Sequence, residues 1–167
     1  MASLDSKVAL VTGAAGAIGA AVARDLAAAG VKVALLDISE LGLAAVGAEL
    51  GELGLVIPCD LGDADAIAAA VAKVSGAEGW GIPDILVNVA GILSNNKLVE
   101  TSVEEWQRVM NINVQSAFLL CQHCCPAMAE RGWGRVVNIT SWCAAPIAAP
   151  FISWPLAPRE AGWLAVT

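Results

Sequence analysis

An apolar, β-branched run at residues 7–12 ends in three closely spaced glycines, Gly13, Gly16 and Gly19, and the chain then turns Ala-rich with apolar residues at helical spacing. A strand that is apolar at consecutive positions has to be covered on both faces, as in a parallel sheet. Glycines at its end let the backbone turn tightly into a helix that crosses back over that sheet. This unit confines the chain to alternating α/β folds, and the residues beyond it keep the alternation. A helix over 17–29 is closed by Gly30 at the position after its C-cap. A strand at 31–36, a helix at 40–50, a strand at 55–58 and a helix at 63–74 follow, the last opened by acidic residues that suit its N-terminal dipole. After Pro83-Asp84 come a strand at 85–89 and the longest helix, 103–131, with Ser102 as N-cap and Glu105 at N3 of a capping box. Gly132-Trp133-Gly134 ends that helix and 135–140 is a fifth strand. The order predicts an α/β doubly wound parallel sheet, the Rossmann fold, in a single domain over 1–167. Its regular part runs from about 7 to 141 and its tail, 142–167, is irregular. Pro146 to Pro158 supports no long element, and 160–167 reads as the opening turns of a helix.

Composition removes several function classes. Hydrophobic residues make up 57% and charged residues 15%, which excludes intrinsic disorder. Nine Lys and Arg against 16 Asp and Glu leave a net charge of -7, unsuited to nucleic acid or an anionic membrane surface. The uncharged stretches 8–23 and 136–158 fail as a signal core and as a membrane span. The first has Asp5 ahead of it and is broken by glycines, and the second carries Pro146, Pro150, Pro155 and Pro158. A cytoplasmic location is expected. The five cysteines are odd in number, with Cys121, Cys124 and Cys125 clustered in one predicted helix. Cys121 and Cys124 have C-x-x-C spacing around His123, but no second ligand pair follows, so buried reduced thiols are expected rather than a metal or disulfide framework.

The glycine turn carries the chemistry. Thr12, Gly13, Ala15, Gly16, Ala17, Ile18 and Gly19 form a strand–turn–helix junction of small residues. There, backbone N–H groups and the helix N-terminus can take a pyrophosphate. A glycine-rich turn without a ligand is the alternative. Asp37 ends the second strand, where a carboxylate can accept from the adenosine ribose hydroxyls, with Ile38 beside it. That carboxylate repels a 2′-phosphate, and neither Arg nor Lys stands at positions 14, 15 or 38. NAD is therefore expected over NADP. Asp37 could instead cap the helix that starts after Ser39.

The spacing Thr-Gly-x-x-x-Gly-x-Gly resembles that of the short-chain dehydrogenase/reductase family, and further motifs follow in order. Cys59-Asp60-Leu61 resembles the family's adenine-contacting Asp and its neighbour. Asn88-Val89-Ala90-Gly91 resembles its Asn-Asn-Ala-Gly motif, with Val89 a departure. In that motif Asn88 steadies the central sheet, and Ala90 and Gly91 line the adenosine ribose. The long helix is similar to the one whose catalytic Asn falls on Asn113, and Gly134 to Ser141 resembles the fifth strand that ends at the catalytic Ser, here Ser141. The resemblance spans 7 to about 145. It implies hydride transfer between NAD(H) and a secondary alcohol or ketone, a small-molecule substrate flanked by 93–97 and 142–151. It also implies dimers or tetramers formed through the long helix and the one after it.

The same resemblance exposes a deficit. The family's Tyr moves the hydroxyl proton, and a Lys one helical turn later lowers its pKa, because a phenol of pKa about 10 needs a neighbouring cation to act near neutrality. This chain has no Tyr, and its last Lys is Lys97. The Tyr and Lys positions fall on Trp154 and Pro158, or on Leu156 and Glu160. His123, Cys143 and Arg159 do not replace them. A truncated product, or a shifted reading frame near 153–160, would account for both this loss and the early stop at Thr167. The expected fold is thus incomplete at its C-terminus, with two further readings: a catalytically inactive dinucleotide-binding module, or a weakly associating protein whose long helix exposes Phe118, Leu119 and Cys121.

Overall fold

The computed structural model describes residues 4–94 and 96–140 together with the backbone of 162–166. Its strands are β1 (Val8–Thr12), β2 (Lys32–Asp37), β3 (Gly54–Pro58), β4 (Ile85–Asn88), β5 (Arg135–Ile139) and β6 (Gly162–Val166). Its helices are α1 (Ala17–Ala28), α2 (Glu40–Leu50), α3 (Ala64–Gly76), α4 (Val103–Met110) and α5 (Ser116–Glu130). The strands form one parallel sheet in the order β3-β2-β1-β4-β5-β6. That is the doubly wound arrangement expected from the alternation, with the order reversing between β1 and β4.

Strand alternation sorts the core into two layers. Leu10, Ala34, Leu36 and Leu86 pack with Ile67, Val71 and Val74 of α3 and with Leu120, Cys124 and Met128 of α5. Ala9, Val11, Val33, Leu35, Ile85 and Val87 pack on the opposite side with Ala20 and Ala23 of α1 and Leu43 and Val46 of α2. Neighbouring residues of the same strand thus serve opposite layers, which is why the central strands are apolar at every position.

Helix ends follow the sequence signals. Ser39 caps α2 by accepting from the Gly42 amide, and Asp63 caps α3 by accepting from the Asp65 and Ala66 amides. Gly30, at φ +81°, closes α1, its N–H donating to Ala27 while Val31 donates to Leu26.

Three expectations are corrected. The predicted 103–131 helix is widened by a π turn at Asn111–Gln115 between α4 and α5. There the Asn113 side chain is engaged outside the rod, and the Ser116 hydroxyl donates to the Ile112 carbonyl at 2.6 Å. The Ser102–Glu105 capping box is only half formed. The Ser102 hydroxyl accepts from the Glu105 amide at 3.1 Å, while the Glu105 carboxylate accepts from Ser94 and Asn96 instead. Lastly, the segment expected to begin a helix at 160–167 contains β6, parallel to β5 from Arg135↔Gly162 to Ile139↔Val166. Trp, Leu and Val suit a pleated strand, and β5 otherwise presents an unpaired edge.

At the end of the sheet away from the glycine turn, Asp84 is buried and accepts from the Val8 amide at 3.1 Å. Its other oxygen faces Lys7 at 3.7 Å and Arg131 at 3.3 Å. Lys7 and Arg135 also stack on the Trp133 ring, at 4.3 and 5.0 Å from its centre.

Candidate functional site

The junction of β1 and α1 is built by contacts that no side chain larger than hydrogen could make. Gly13 sits at φ +64°, and a Cβ there would lie 3.0 Å from Ala90 Cα and N. A Cβ on Gly19 would lie 2.2 Å from the Gly13 carbonyl oxygen, so α1 begins directly against the turn. Thr12 holds the turn to the end of β4, its hydroxyl accepting from the Val89 amide at 3.0 Å and the Ala90 amide at 3.1 Å. Val89, the departure from the resembled motif, is half-buried and packs on the α1/α2 layer through its side chain.

Amide accounting shows what the turn can hold. Within it, Ala14 donates to the Leu36 carbonyl, Ala15 to Asp37 Oδ2 and Gly16 to the Gly13 carbonyl. The N-cap of α1 is Gly16, with no side-chain cap and no acidic residue in the first turn. In contrast, α2, α3 and α4 are each capped by Ser39, Asp63 or Ser102. The first-turn amides of Ala17, Ile18 and Gly19 therefore keep their donors directed out of the helix end. Orphan donors at a helix N-terminus, with small exposed residues around them, fit a phosphate.

Asp37 stands beside this turn at the end of β2. Oδ2 accepts from Ala15 at 3.1 Å and Oδ1 from Ser39 at 3.0 Å, so the carboxylate is fixed between the turn and α2. The α2 cap is Ser39, not Asp37. Ile38 is 70% exposed, Ile18 57%. At the end of β3, Asp60 is exposed and accepts from the Gly62 amide at 2.8 Å, and Leu61 is buried in the α3/α5 layer. A shallow cleft of about 350 Å³ opens here, lined by Asp60, Asp63, Glu104, Arg108 and Ile112 among others.

On the far side of the turn, Asn88 donates across the β4–β5 pair to Asn138 Oδ1 at 2.8 Å, while its own buried Oδ1 has no partner among the described residues. Asn113, in the π turn, grips the backbone of Ile92 twice: it accepts from the Ile92 amide and donates to the Ile92 carbonyl, each at 2.9 Å. Gly91, between Ala90 and Ile92, lies against Asn113, whose Oδ1 would be 3.6 Å from a Cβ there. The structure thus brings Thr12 to Gly19, Asp37, Ile38, Asp60, Ala90, Gly91 and Asn113 to the C-terminal edge of one sheet. Ser141 lies outside the described residues, as do the Tyr and Lys positions and Cys143.

The other candidates sit elsewhere. His123 is exposed on α5. Cys59, Cys121 and Cys124 are buried free thiols, and Cys125 is half-buried. Burial pushes Cys59 up to about 11 and Cys124 up to about 12. Cys121 donates its S–H to Cys125, which raises Cys121 and lowers Cys125. Phe118 is 55% exposed, but Cys121, expected on the same exposed face, belongs to the core. Sequence reasoning missed two features. One is the double hold of the Thr12 hydroxyl on the β4 end. The other is the use of Glu105 against Ser94 and Asn96, masked by a capping-box spacing that predicts a different partner.

Residues 7–151 match the family model described as short chain dehydrogenase. The chain is 41% identical to a D-threitol dehydrogenase of Mycolicibacterium smegmatis over 84% of its own length and 55% of that protein. It is 36% identical to a D-beta-hydroxybutyrate dehydrogenase of Rhizobium meliloti over 93% of its own length and 61% of that one. Among solved structures, a metagenomic short-chain oxidoreductase in complex with NADP superposes with a TM-score of 0.80 at 36% identity, covering 88% of this chain and 68% of the other. The chain spans little more than half the length of these two relatives. Among the described residues, no helix is long and apolar enough to cross a membrane.

Proposed function

This chain belongs to the short-chain dehydrogenase family, and on that premise we propose that it binds NAD(H) at the β1–α1 turn for hydride transfer with a secondary alcohol or ketone. The observation that carries the reading is the uncapped first turn of α1 beside a fixed carboxylate. The amides of Ala17, Ile18 and Gly19 would hold the pyrophosphate, with Gly13 and Gly16 letting it approach the backbone. Asp37 would accept from the adenosine ribose, Ile38 would flank the adenine, and Asp60, anchored beside the buried Leu61, would take its exocyclic amine. Ala90 and Gly91 would line the adenosine ribose. Asn113 and Ser141 would stand at the reacting carbon, one ordering water and the other polarising the substrate oxygen.

NAD is favoured over NADP because Asp37 would face a 2′-phosphate with like charge, and neither Ala14, Ala15 nor Ile38 offers a cation. The solved neighbour bound to NADP makes this a testable distinction. A cytoplasmic enzyme acting on a small molecule, assembled as a dimer or tetramer, is the setting this reading implies.

A second reading is favoured by one specific fact: the sequence contains no Tyr. Without a phenol and its lysine, dinucleotide binding would survive and proton transfer would not. Titration with NADH and NADPH, followed by addition of polyols, hydroxy acids and ketones, separates the two. Substrate-dependent change in the reduced-nicotinamide absorbance supports the oxidoreductase. Saturable NADH binding with no such change supports the binding module. Preference for NADPH overturns the role given to Asp37.

A further inference from the structure

The segment that leaves β4 has no regular structure at residues 89–94 and 96–97, yet it is tied down at two places on the α4–π–α5 rod. Asn113 holds Ile92 through both its amide and its carbonyl. Eight residues earlier on the rod, about 12 Å by helical rise, the Glu105 carboxylate accepts from the Ser94 hydroxyl at 2.6 Å and from the Asn96 side-chain amide at 2.7 Å. The Asn96 backbone amide closes the knot by donating to Ser94 Oγ at 3.3 Å. Glu105 itself is fixed from behind, since its own amide donates to the Ser102 hydroxyl that caps α4. Charge-assisted hydrogen bonds of this length are the strong class, and both oxygens of one carboxylate are used. Between the two anchors Leu93 stays 77% exposed.

We infer that Glu105 is a positioning residue for the nicotinamide half of the site, holding Ser94 and Asn96 so that, with Ile92 held by Asn113, Leu93 is presented to the bound cofactor and substrate. The inference rests on the dinucleotide reading above. A dinucleotide lies across the point where strand order reverses, one nucleotide over each half of the sheet. The glycine turn, β2 and β3 belong to one half. The ends of β4 and β5 belong to the other, and the segment after β4 is its wall. A wall without regular structure has to be ordered when a ligand binds, and each side chain so ordered weakens affinity. Glu105 removes that cost in advance by ordering the segment in the free protein. It reaches the ligand only through Ser94 and Asn96, so it is not a catalytic residue.

The separation of the two halves supplies the test. Binding of ADP reads the glycine turn and Asp37; binding of NADH reads both halves. Glu105→Ala is expected to leave ADP affinity unchanged, to weaken NADH by about tenfold, and to speed hydrogen exchange at the Asn96 amide. Glu105→Gln keeps one acceptor oxygen and should fall between. Should Glu105→Ala fail to fold, as judged by its melting curve, the double variant Ser94→Ala/Asn96→Ala removes the same bonds while leaving α4 intact and is read in the same way. Equal losses for ADP and NADH would make Glu105 a merely structural residue and overturn the inference, and so would no loss for either. A wild-type chain that binds ADP and NADH with the same affinity also overturns it, because the second half then contributes nothing. A wild-type chain that binds neither removes the dinucleotide reading and this inference with it.

Discussion

Gly19→Ala tests whether the glycine turn is built as described, because helix propensity and packing predict opposite signs. Gly19 lies inside α1, and replacing a helical glycine by alanine ordinarily stabilises by about 1 kcal/mol. Here the added methyl would sit 2.2 Å from the Gly13 carbonyl oxygen, 2.7 Å from its carbon and 2.9 Å from Ala14 Cα, whereas real Cβ contacts stay above 3.0 Å. All three neighbours are backbone, so the helix has to back away from the turn by most of an ångström. Forcing extra volume into a packed interior costs about 1–3 kcal/mol, and backbone neighbours put this site at the upper end. The net expectation is a loss of about 2 kcal/mol, or a melting temperature lower by about 4–8 °C for a chain of this size. Because the same movement displaces the amides of Ala17 and Ile18, NADH affinity should fall with it. Gly76→Ala is the control: a Cβ at that position, the last residue of α3, meets nothing within 4 Å. It should leave stability unchanged or raise it by about 0.5–1 kcal/mol. Thermal melts and NADH titrations of both variants decide the matter. If Gly19→Ala melts at or above the wild type and binds NADH normally, the close approach of α1 to the turn is wrong.

Further expectations follow from other parts of the structure. Asp84→Ala leaves the Val8 amide without its acceptor and Lys7 and Arg131 without their anion. It should lower unfolding free energy in urea by about 1–3 kcal/mol. Cys125, lowered by the hydrogen bond from Cys121, should be the first of the described cysteines alkylated by iodoacetamide at neutral pH. Cys59 and Cys124, raised by burial, should lag on a mass-spectrometric time course. The hydrogen bonds from Ser94 and Asn96, helped by Arg108, hold the Glu105 carboxyl below the ordinary carboxylate range. A depressed pKa makes the tie fully present above the unfolded value of about 4.3 and lost as pH falls through the folded one. Exchange at the Asn96 amide, corrected for intrinsic rate, should therefore rise on acidification, and Glu105→Gln should flatten that dependence.

Much of the fold was legible because its signals are local. The central strands are apolar on both faces, so runs such as 8–12 and 32–37 announce themselves. Ser39, Asp63, Ser102 and Gly30 mark helix ends through bonds to residues at most four positions away. The glycine turn was readable for the same reason: its spacing lies within the eight residues 12–19. What escaped depends on distant partners. The Thr12 hydroxyl serves amides 77 and 78 positions away, and no local pattern announces that. Glu105 has the spacing of a capping box, but two neutral donors from the loop before it compete for its carboxylate and win. Phe118 and Cys121 are three positions apart on α5, yet Cys121 turns into the core layer with Leu120 and Cys124 while Phe118 stays exposed, a division set by packing against distant elements. The segment at 162–166 reads locally as the opening turns of a helix, whereas pairing with the edge of β5 makes it a strand.

The most direct test of the central claim is a calorimetric titration of this chain with NADH, accompanied by its melting curve at saturation. Binding to the uncapped end of α1 predicts one saturable site and, at about a hundredfold excess over Kd, about 2.7 kcal/mol of added stability, both lost or strongly reduced in Gly19→Ala. No heat of binding and an unshifted melting curve would contradict it.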